Sequence, residues 1–377
     1  MAKTVFSIFD RGVLKSLIII SLSIFSNPIY AQDFAAIAKS IMEKDSIPAM
    51  AFAIVTKDSI IIKSVLGHHK ITELDTESNV NPKDYFHLGS NTKAITGFVA
   101  AKLVEDKLVK WDTKFFDLFP EVKDKVNPAY SMITLEDLLT HHAKIQPFTS
   151  GVEYQNLPPL KGDKQEKREG FVEYVLTLSP VESSNSFNYS NAGYSVAALM
   201  LEKVTGQSWE EMISEVLERK LKIDVVFGWP NRNFENEPYG HWLEDGKLVP
   251  VPPSTAYDLS MAEPAGDLSM NIDSYAKYIQ LHLQGLSGET NFLRPETYNH
   301  LFTAKDDYAI GWGNYTKDDQ LISEHAGSDG TFFTYAQIDR KSLIGYIVMV
   351  NSGSESAQKG VFEMINKMKT SATSVNE

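Results

Sequence analysis

The stretch FHLGSNTKAITGFVAAKL, residues Phe86–Leu103, places Lys93 three residues after Ser90. Its apolar residues recur at the spacing of one helix face, which predicts a helix over Asn91–Val104. A serine that only caps a helix prefers Glu or Gln three residues later, because a carboxylate suits the positive end of the helix dipole. The lysine therefore needs an explanation other than helix capping.

Nucleophilic catalysis is one such explanation. Residues three apart share a helix face, so the Lys93 amine can reach the Ser90 hydroxyl. A serine needs a nearby base near neutral pH, and a lysine becomes that base when burial or positive charge lowers its pKa. The spacing alone is weak, because it recurs at two positions that we interpret as ordinary helix surface: Ser274/Lys277 and Ser356/Lys359. Ser90 differs because Gly89 permits a tight turn before an apolar helix.

Outward from this stretch, strands are predicted at both ends of the chain. MAFAIV (Met50–Val55) and IIIKSVLG form a β-hairpin, and TFFTYAQID and LIGYIVMVN form a second pair of strands. A final amphipathic helix is predicted from about Ser354 to Lys369. Between the strand pairs lie helices, one capped by Thr134 and one closed by Gly206. This order predicts an α/β (α+β) fold in which the two chain ends build one antiparallel sheet around an inserted, mostly helical domain.

Composition excludes several functions. The chain has 377 residues, 43% of them hydrophobic and 23% charged, and this length favours more than one lobe. It has no cysteine, which excludes disulfides, thiolate catalysis and cysteine metal sites. A formal charge of −13 argues against nucleic acid as a partner, because no basic surface would neutralise phosphates.

The N-terminus resembles an export signal. Lys3, Arg11 and Lys15 precede a short apolar run, Leu17–Phe25, and a cleavage point follows Ala31. The run is too short to span a bilayer, so we expect no stable membrane insertion after removal of the signal; a retained anchor is the lesser alternative. The expected location is the bacterial periplasm or the medium.

The nucleophile stretch resembles the serine β-lactamase and penicillin-binding protein superfamily, in its class C β-lactamase-like branch. The similarity continues in family order through ITLEDLLTHH, SFNYSNAGYSVAALMLEKVTG, AEPAGDLSMNIDSYAKYIQ, YAIGWG and HAGSDGTFFTYAQID. It covers about Ile47 to Asn351. The branch includes D-alanyl-D-alanine carboxypeptidases, D-aminopeptidases and carboxylesterases. The resemblance implies a sheet flanked by the N- and C-terminal helices.

The resemblance implies three catalytic residues. Ser90 would attack the carbonyl and form an acyl-enzyme, and Lys93 would take or relay its proton. Tyr189, in YSN, would protonate the leaving group, as a partly ionised phenol held by Lys93; its alternative is a packed core tyrosine. YQN at Tyr154–Asn156 has the same spacing in a Pro-rich loop, and we exclude it.

The resemblance also implies four substrate-binding residues. Asn191 would orient the substrate and hold Lys93, or would instead cap a helix beginning at Ala192. The backbone amides of Ser90 and Ser328 would form the oxyanion hole, and Gly327 would let the substrate lie against its strand. His325 stands where many relatives have lysine, and a mostly neutral histidine makes efficient β-lactamase activity less favourable without excluding a carboxylate substrate.

These residues define a domain and function hypothesis. The predicted parts are a signal peptide (1–31), an α/β domain (32–86 and 261–377) and a mainly helical domain (87–260). We expect a serine hydrolase that cleaves an ester or amide in a small molecule, peptide or cell-wall fragment. Alternatives are a penicillin-binding D-alanyl-D-alanine carboxypeptidase or D-aminopeptidase, less favourably a true β-lactamase, and a non-catalytic cell-wall-binding or sensor protein. No cofactor or metal is expected, because the nine histidines include no His-Glu-x-x-His.

Overall fold

The computed structural model describes residues 28–373, except residues 74–77, 183–185, 257–258, 260 and 306. Most of the predicted signal peptide, residues 1–27, lies outside the described residues, so the signal stays a prediction. Within the described part of the chain, no helix has the length and apolar character needed to cross a membrane.

Over the described residues the strands fall into three antiparallel sheets. Their bounds are β1 Ala49–Thr56, β2 Ile60–Gly67, β3 Phe86–His87, β4 Val226–Phe227, β5 His241–Glu244, β6 Lys247–Pro250, β7 Leu268–Met270, β8 Gly313–Lys317, β9 Gln320–Ser328, β10 Phe333–Asp339 and β11 Ile344–Val350. The helices are α1 Pro28–Asp45, α2 Thr92–Glu105, α3 Phe115–Leu118, α4 Leu135–Leu139, α5 Lys164–Thr177, α6 Asn191–Thr205, α7 Trp209–Ser214, α8 Pro230–Asn233, α9 Glu263–Gly266, α10 Ile272–Leu286, α11 Pro295–Thr303 and α12 Glu355–Thr373. A π-helical turn, Glu215–Lys220, continues α7. Short 3₁₀ turns occupy Gly89–Asn91, Pro120–Lys125, Pro128–Tyr130 and Glu153–Asn156.

The large sheet joins the two ends of the chain, in the order β2-β1-β11-β10-β9-β8. Strand β1, AMAFAIVT, shows why both faces of this sheet are covered. Its large residues Met50 and Phe52 face one apolar cluster, whereas its alanines Ala51 and Ala53 face the other. Successive side chains on a strand point to opposite faces, so an apolar strand without polar alternation is typical of a sheet buried on both sides.

Helices cover the two faces of the large sheet. On one face α1 and α12 pack together, with Phe34 and Met364 among the buried residues of that cluster. On the other face α10 packs against β1 and β11, and its Ile279 and Leu283 are fully buried. This arrangement confirms the predicted antiparallel sheet flanked by terminal helices.

Helix α2 follows the turn that contains Ser90 and runs into the centre of the molecule. Every residue from Thr92 to Ala101 is buried, so the first ten residues of the helix have no solvent face. Its polar side chains are satisfied internally: Thr96 donates to the Pro264 carbonyl over 2.7 Å, and the Leu268 amide donates to Thr92 over 3.2 Å. Buried polar groups need such partners, and here they tie α2 to the segment around α9.

Most of the predicted elements are present near the expected bounds. The first hairpin is β1–β2, the later strand pair is β10–β11, and the final helix is α12. One interpretation was wrong in part: Ser274 lies buried at the start of α10 and accepts a hydrogen bond from the Asp224 amide, so it is not a surface residue. The domain boundaries stay a prediction.

Candidate active site

Ser90 lies in the short 3₁₀ turn Gly89–Asn91, between β3 and α2. Gly89 has φ +52°, a left-handed conformation that costs glycine little. A Cβ at Gly89 would lie 2.4 Å from the Ser328 amide nitrogen, so the turn is pressed directly against β9. Ser90 itself is half-buried and does not cap α2, whose N-cap position is Asn91. The turn thus holds the Ser90 hydroxyl at the edge of the large sheet.

Lys93 is fully buried and directs its amine at Ser90. Its Nζ lies 3.1 Å from Ser90 Oγ, 2.7 Å from Asn191 Oδ1 and 2.9 Å from the Ala265 carbonyl oxygen. The last two atoms can only accept hydrogen bonds. Burial lowers the pKa of Lys93 well below its usual value. A neutral amine here would donate to Asn191 and Ala265 and turn its lone pair toward the Ser90 hydroxyl.

Tyr189 completes the group around the serine. The centre of its ring lies 4.6 Å from Lys93 Nζ, and its hydroxyl interacts with Ser90. Burial raises the pKa of Tyr189, while the interaction with Ser90 opposes this effect. Burial therefore favours the protonated phenol, and the expected partly ionised phenol held by Lys93 stays a prediction.

Asn191 is the first residue of α6, and both the oxygen and the nitrogen of its side-chain amide make hydrogen bonds. Its Oδ1 accepts from Lys93, and its Nδ2 donates to the Phe148 carbonyl over 3.1 Å. The alternative role of capping a helix from Ala192 is wrong, because Ser190 is the N-cap and accepts the Gly193 amide over 2.9 Å. Asn191 instead ties the Lys93 amine to a fixed backbone.

Gly327 and Ser328, at the end of β9, border the nucleophile turn. A Cβ at Gly327 would lie 2.1 Å from the Leu88 carbonyl oxygen and 2.7 Å from the Ser90 amide nitrogen. Gly327 is thus needed for the close approach of β9 to the turn, a role additional to the predicted one of admitting substrate. The Ser328 hydroxyl donates to the Phe332 carbonyl over 2.6 Å, which fixes the turn after β9.

His325 lies two residues earlier on β9 and is almost fully buried. Its Nε2 lies 3.0 Å from the Tyr308 hydroxyl, and its Nδ1 lies 2.9 Å from the Ala326 carbonyl oxygen. Burial, and secondarily the Lys93 charge, lower the pKa of His325 to about 3. His325 is therefore a neutral ring with both nitrogens in hydrogen bonds.

Sequence reasoning missed several residues that support the turn. His87 lies between two carboxylates, with Nδ1 3.3 Å from Asp329 Oδ2 and Nε2 3.3 Å from Asp267 Oδ1. Although burial lowers the pKa of His87, these carboxylates outweigh burial and raise it. Asn91 donates to the Thr334 carbonyl and accepts from the Tyr275 hydroxyl, which joins the turn to β10 and α10. Only the position of His87 just before the nucleophile was a signal.

Aromatic rings form one wall beside Tyr189. His141 lies 4.3 Å from Tyr189 and 4.7 Å from Tyr308 between ring centres, and Phe187 lies 5.6 Å from Tyr308. The excluded residues Tyr154–Asn156 form a separate 3₁₀ turn. Within the described ranges, no group of three or more His, Asp or Glu side chains could hold a metal ion.

The fold and this arrangement define the serine β-lactamase and penicillin-binding protein class, as the resemblance predicted. The chain belongs to the beta-lactamase family, whose model matches residues 34–362. Protein flp of Staphylococcus aureus strain MW2 is 23% identical over 347 residues, which cover 87% of this chain and 64% of flp. The unguisins hydrolase of Aspergillus campestris is 25% identical over 370 residues, which cover 89% of this chain and 65% of the hydrolase. The chain thus spans a little less than two thirds of the length of these relatives.

Solved structures share the fold. A class C β-lactamase from Rhodobacter sphaeroides matches with a TM-score of 0.69 at 18% identity, over 89% of this chain and 99% of that chain. At this identity the likeness establishes the architecture alone. The substrate has to be argued from the residues in the cleft.

Proposed function

We propose that this protein is an exported serine hydrolase that cleaves an ester or amide through an acyl-enzyme on Ser90. The observation that carries the proposal is the setting of Lys93, which is fully buried with two neutral acceptors and the Ser90 hydroxyl around its amine. A structural lysine would need a carboxylate to offset its desolvation. A lysine whose pKa is lowered by burial can instead take a proton.

Acylation follows from these positions. Lys93 takes the proton of Ser90 while Ser90 Oγ bonds to the carbonyl carbon. The backbone amides of Ser90 and Ser328 stabilise the oxyanion. Tyr189 donates its proton to the leaving oxygen or nitrogen, the bond to the leaving group breaks, and Lys93 returns a proton to Tyr189. A water then releases the acyl group by the same steps in reverse.

The relatives support hydrolysis as the class of reaction. The unguisins hydrolase is named as a hydrolase, and a class C β-lactamase shares the fold. The basic residues and apolar run at the N-terminus support export to the periplasm or the medium. The joint presence of Ser90, Lys93, Tyr189 and Asn191 in one cleft argues against a non-catalytic binding or sensor protein.

Replacing the nucleophile tests the proposal. We expect Ser90→Ala to abolish turnover of p-nitrophenyl acetate and to remove the acetyl adduct that intact-protein mass spectrometry detects in the wild type. Ser356→Ala is the matched control, because Ser356 also precedes a lysine by three residues but lies exposed on α12. Full activity of the Ser90→Ala protein would refute the proposal.

A further inference from the structure

Tyr308 contacts both His325 and Tyr189, the residue that is proposed to protonate the leaving group. Residues two apart on a strand point to the same face. A Cβ built on Gly327 would point at the Ser90 turn. His325, two residues earlier on the same strand, therefore also faces the site. The rings of Tyr308 and Tyr189 lie 6.1 Å apart between centres. A leaving group that receives its proton from Tyr189 would therefore lie against Tyr308 and His325.

The hydrogen bonds of His325 determine which nitrogen carries its proton. The Ala326 carbonyl can only accept, so Nδ1 of His325 must be protonated. In a neutral ring Nε2 is then the acceptor, and the Tyr308 hydroxyl donates to it over 3.0 Å. Protonating Nε2 would make it a donor that faces the Tyr308 hydroxyl, which is itself the donor of this hydrogen bond. It would also place a positive charge on the ring close to Lys93. Among the residues that the structure describes, the ionisable groups that bond to His325 or interact with its charge are Tyr308, Lys93 and His141, and none of these three is an acid of the Asp or Glu kind.

We propose that Tyr308 fixes His325 as a neutral acceptor and thereby restricts the cleft to substrates whose leaving group carries no carboxylate next to the scissile bond. This inference rests on the proposed function and narrows its substrate class to esters and amides of uncharged alcohols and amines. A carboxylate beside His325 would face the lone pair of Nε2. The one ring hydrogen, on Nδ1, already donates to the Ala326 carbonyl and is not available to the carboxylate. Tyr308 is a positioning residue, because it acts through His325.

A pocket of about 560 Å³ lies against Tyr308 and is bordered also by Phe187 and His142. Among its described lining residues, Lys305 and Asp307 carry one charge of each sign. The Phe187 and Tyr308 rings offer apolar contact to an alkyl or aromatic leaving group.

Two esters that differ in one group test the inference. O-acetyl-D-lactate and O-acetyl-D-lactamide share the acyl group and the leaving oxygen, and differ only in carboxylate against carboxamide. We expect the wild type to hydrolyse the lactamide with a kcat/KM about tenfold higher or more, because the carboxylate is left without a donor. Tyr308→Phe removes the hydroxyl that donates to Nε2, so the neutral ring can carry its proton on Nε2 and offer it to a carboxylate. The preference for the lactamide over the lactate ester should therefore narrow severalfold at a fixed pH of 7.5.

His325→Lys restores a cation at the same position and should reverse the preference. A second measurement needs no variant: the ¹⁵N signals of His325, assigned by comparison with His325→Gln, should show a neutral ring protonated at Nδ1. Ser90-dependent turnover that favours the lactate ester, or a ring protonated at Nε2, would overturn this inference alone. Absence of turnover and of any Ser90 adduct with both esters would overturn the proposed function as well.

Discussion

The side-chain amide of Asn191 helps to set the pKa of Lys93. Asn191 Oδ1 lies 2.7 Å from Lys93 Nζ and carries no charge, so it offsets less of the desolvation of the charged amine than a carboxylate would. In the proposed mechanism the active form is the neutral amine, and kcat/KM should therefore rise with pH through the Lys93 pKa. The midpoint of this rise should lie well below the usual lysine value.

Asn191→Asp tests this account. A carboxylate at that distance favours the charged amine and raises its pKa by about one to three units. We expect the rising limb of the kcat/KM profile for p-nitrophenyl acetate to move to higher pH by a similar amount. Asn191→Ala removes the amide without adding charge, so it is the control and should not shift the limb upward. An unchanged profile in Asn191→Asp would show that Lys93 is not the titrating base.

Sequence reasoning at this scale found the residues that carry a family pattern and missed those that act through geometry. The lysine three residues after Ser90 and the YSN pattern are local signals, so Ser90, Lys93, Tyr189 and Asn191 could be named. Tyr308 is separated from His325 by a hairpin, and its hydroxyl reaches that ring only in the folded chain. The protonation state of Tyr189 depends on burial, which no spacing encodes.

At the scale of elements, the site depends on how closely β9 approaches the nucleophile turn. Gly89 and Gly327 face each other across this contact, and a Cβ on either would meet backbone atoms of the other segment. Backbone atoms cannot move aside as a flexible side chain can. The two amides proposed for the oxyanion hole are therefore held together by two glycines.

Gly327→Ala should separate the turn from the strand. Its Cβ would lie 2.1 Å from the Leu88 carbonyl oxygen, so we expect a loss of about 1–3 kcal/mol in the free energy of unfolding and more than a tenfold fall in kcat/KM. Urea unfolding and ester hydrolysis measure the two effects. Gly313→Ala on β8 is the matched control, because its Cβ would meet its nearest atom at 3.6 Å. Equal effects of the two substitutions would contradict this account of the contact.

The same scale shows what periodicity can predict. The apolar pattern over Asn91–Val104 predicted the helix, yet α2 is buried on all sides from Thr92 to Ala101, and Lys93 and Thr96 bond to other segments. A stripe of apolar residues therefore identified the element without revealing its surroundings. Capping was more informative: Thr134 accepts from the Asp137 amide and Gly206 ends α6 in the left-handed conformation, as the sequence predicted.

At the scale of the whole molecule, strands from near the two ends of the chain pair in the same sheet. Strand β1 pairs with β2 on one side and β11 on the other, so residues near the two ends share one sheet. Asn351, just after β11, accepts from the Ala49 amide and donates to the His69 carbonyl. The sequence predicted this closure because strands occur at both ends. It did not reveal the crossing at which the segment around Glu237 contacts distant parts of the chain: the Tyr239 amide donates to the His69 carbonyl, and Glu237 accepts the Tyr85 amide.

Glu237 makes this crossing sensitive to pH. It is nearly buried and accepts the Tyr85 amide over 2.8 Å, and His69 pairs with Asp84 nearby. Burial raises the pKa of Glu237 to about 7, although the bond from Tyr85 opposes the shift. The unfolded chain loses this proton first, near the ordinary glutamate value. Folding stability from this group is therefore present at low pH and is lost as the pH rises toward 7.

Glu237→Gln should remove that loss, because a neutral amide oxygen can still accept the Tyr85 hydrogen bond. We expect its free energy of unfolding to gain about 2 kcal/mol on the wild type between pH 5 and pH 8, measured by urea unfolding at each pH. Glu235→Gln is the control, since Glu235 lies two residues away and is exposed, and it should follow the wild type. If Glu237→Gln gained nothing between these pH values, the buried carboxyl would already be ionised at pH 5. The charge of Glu237 would then have no effect on folding stability.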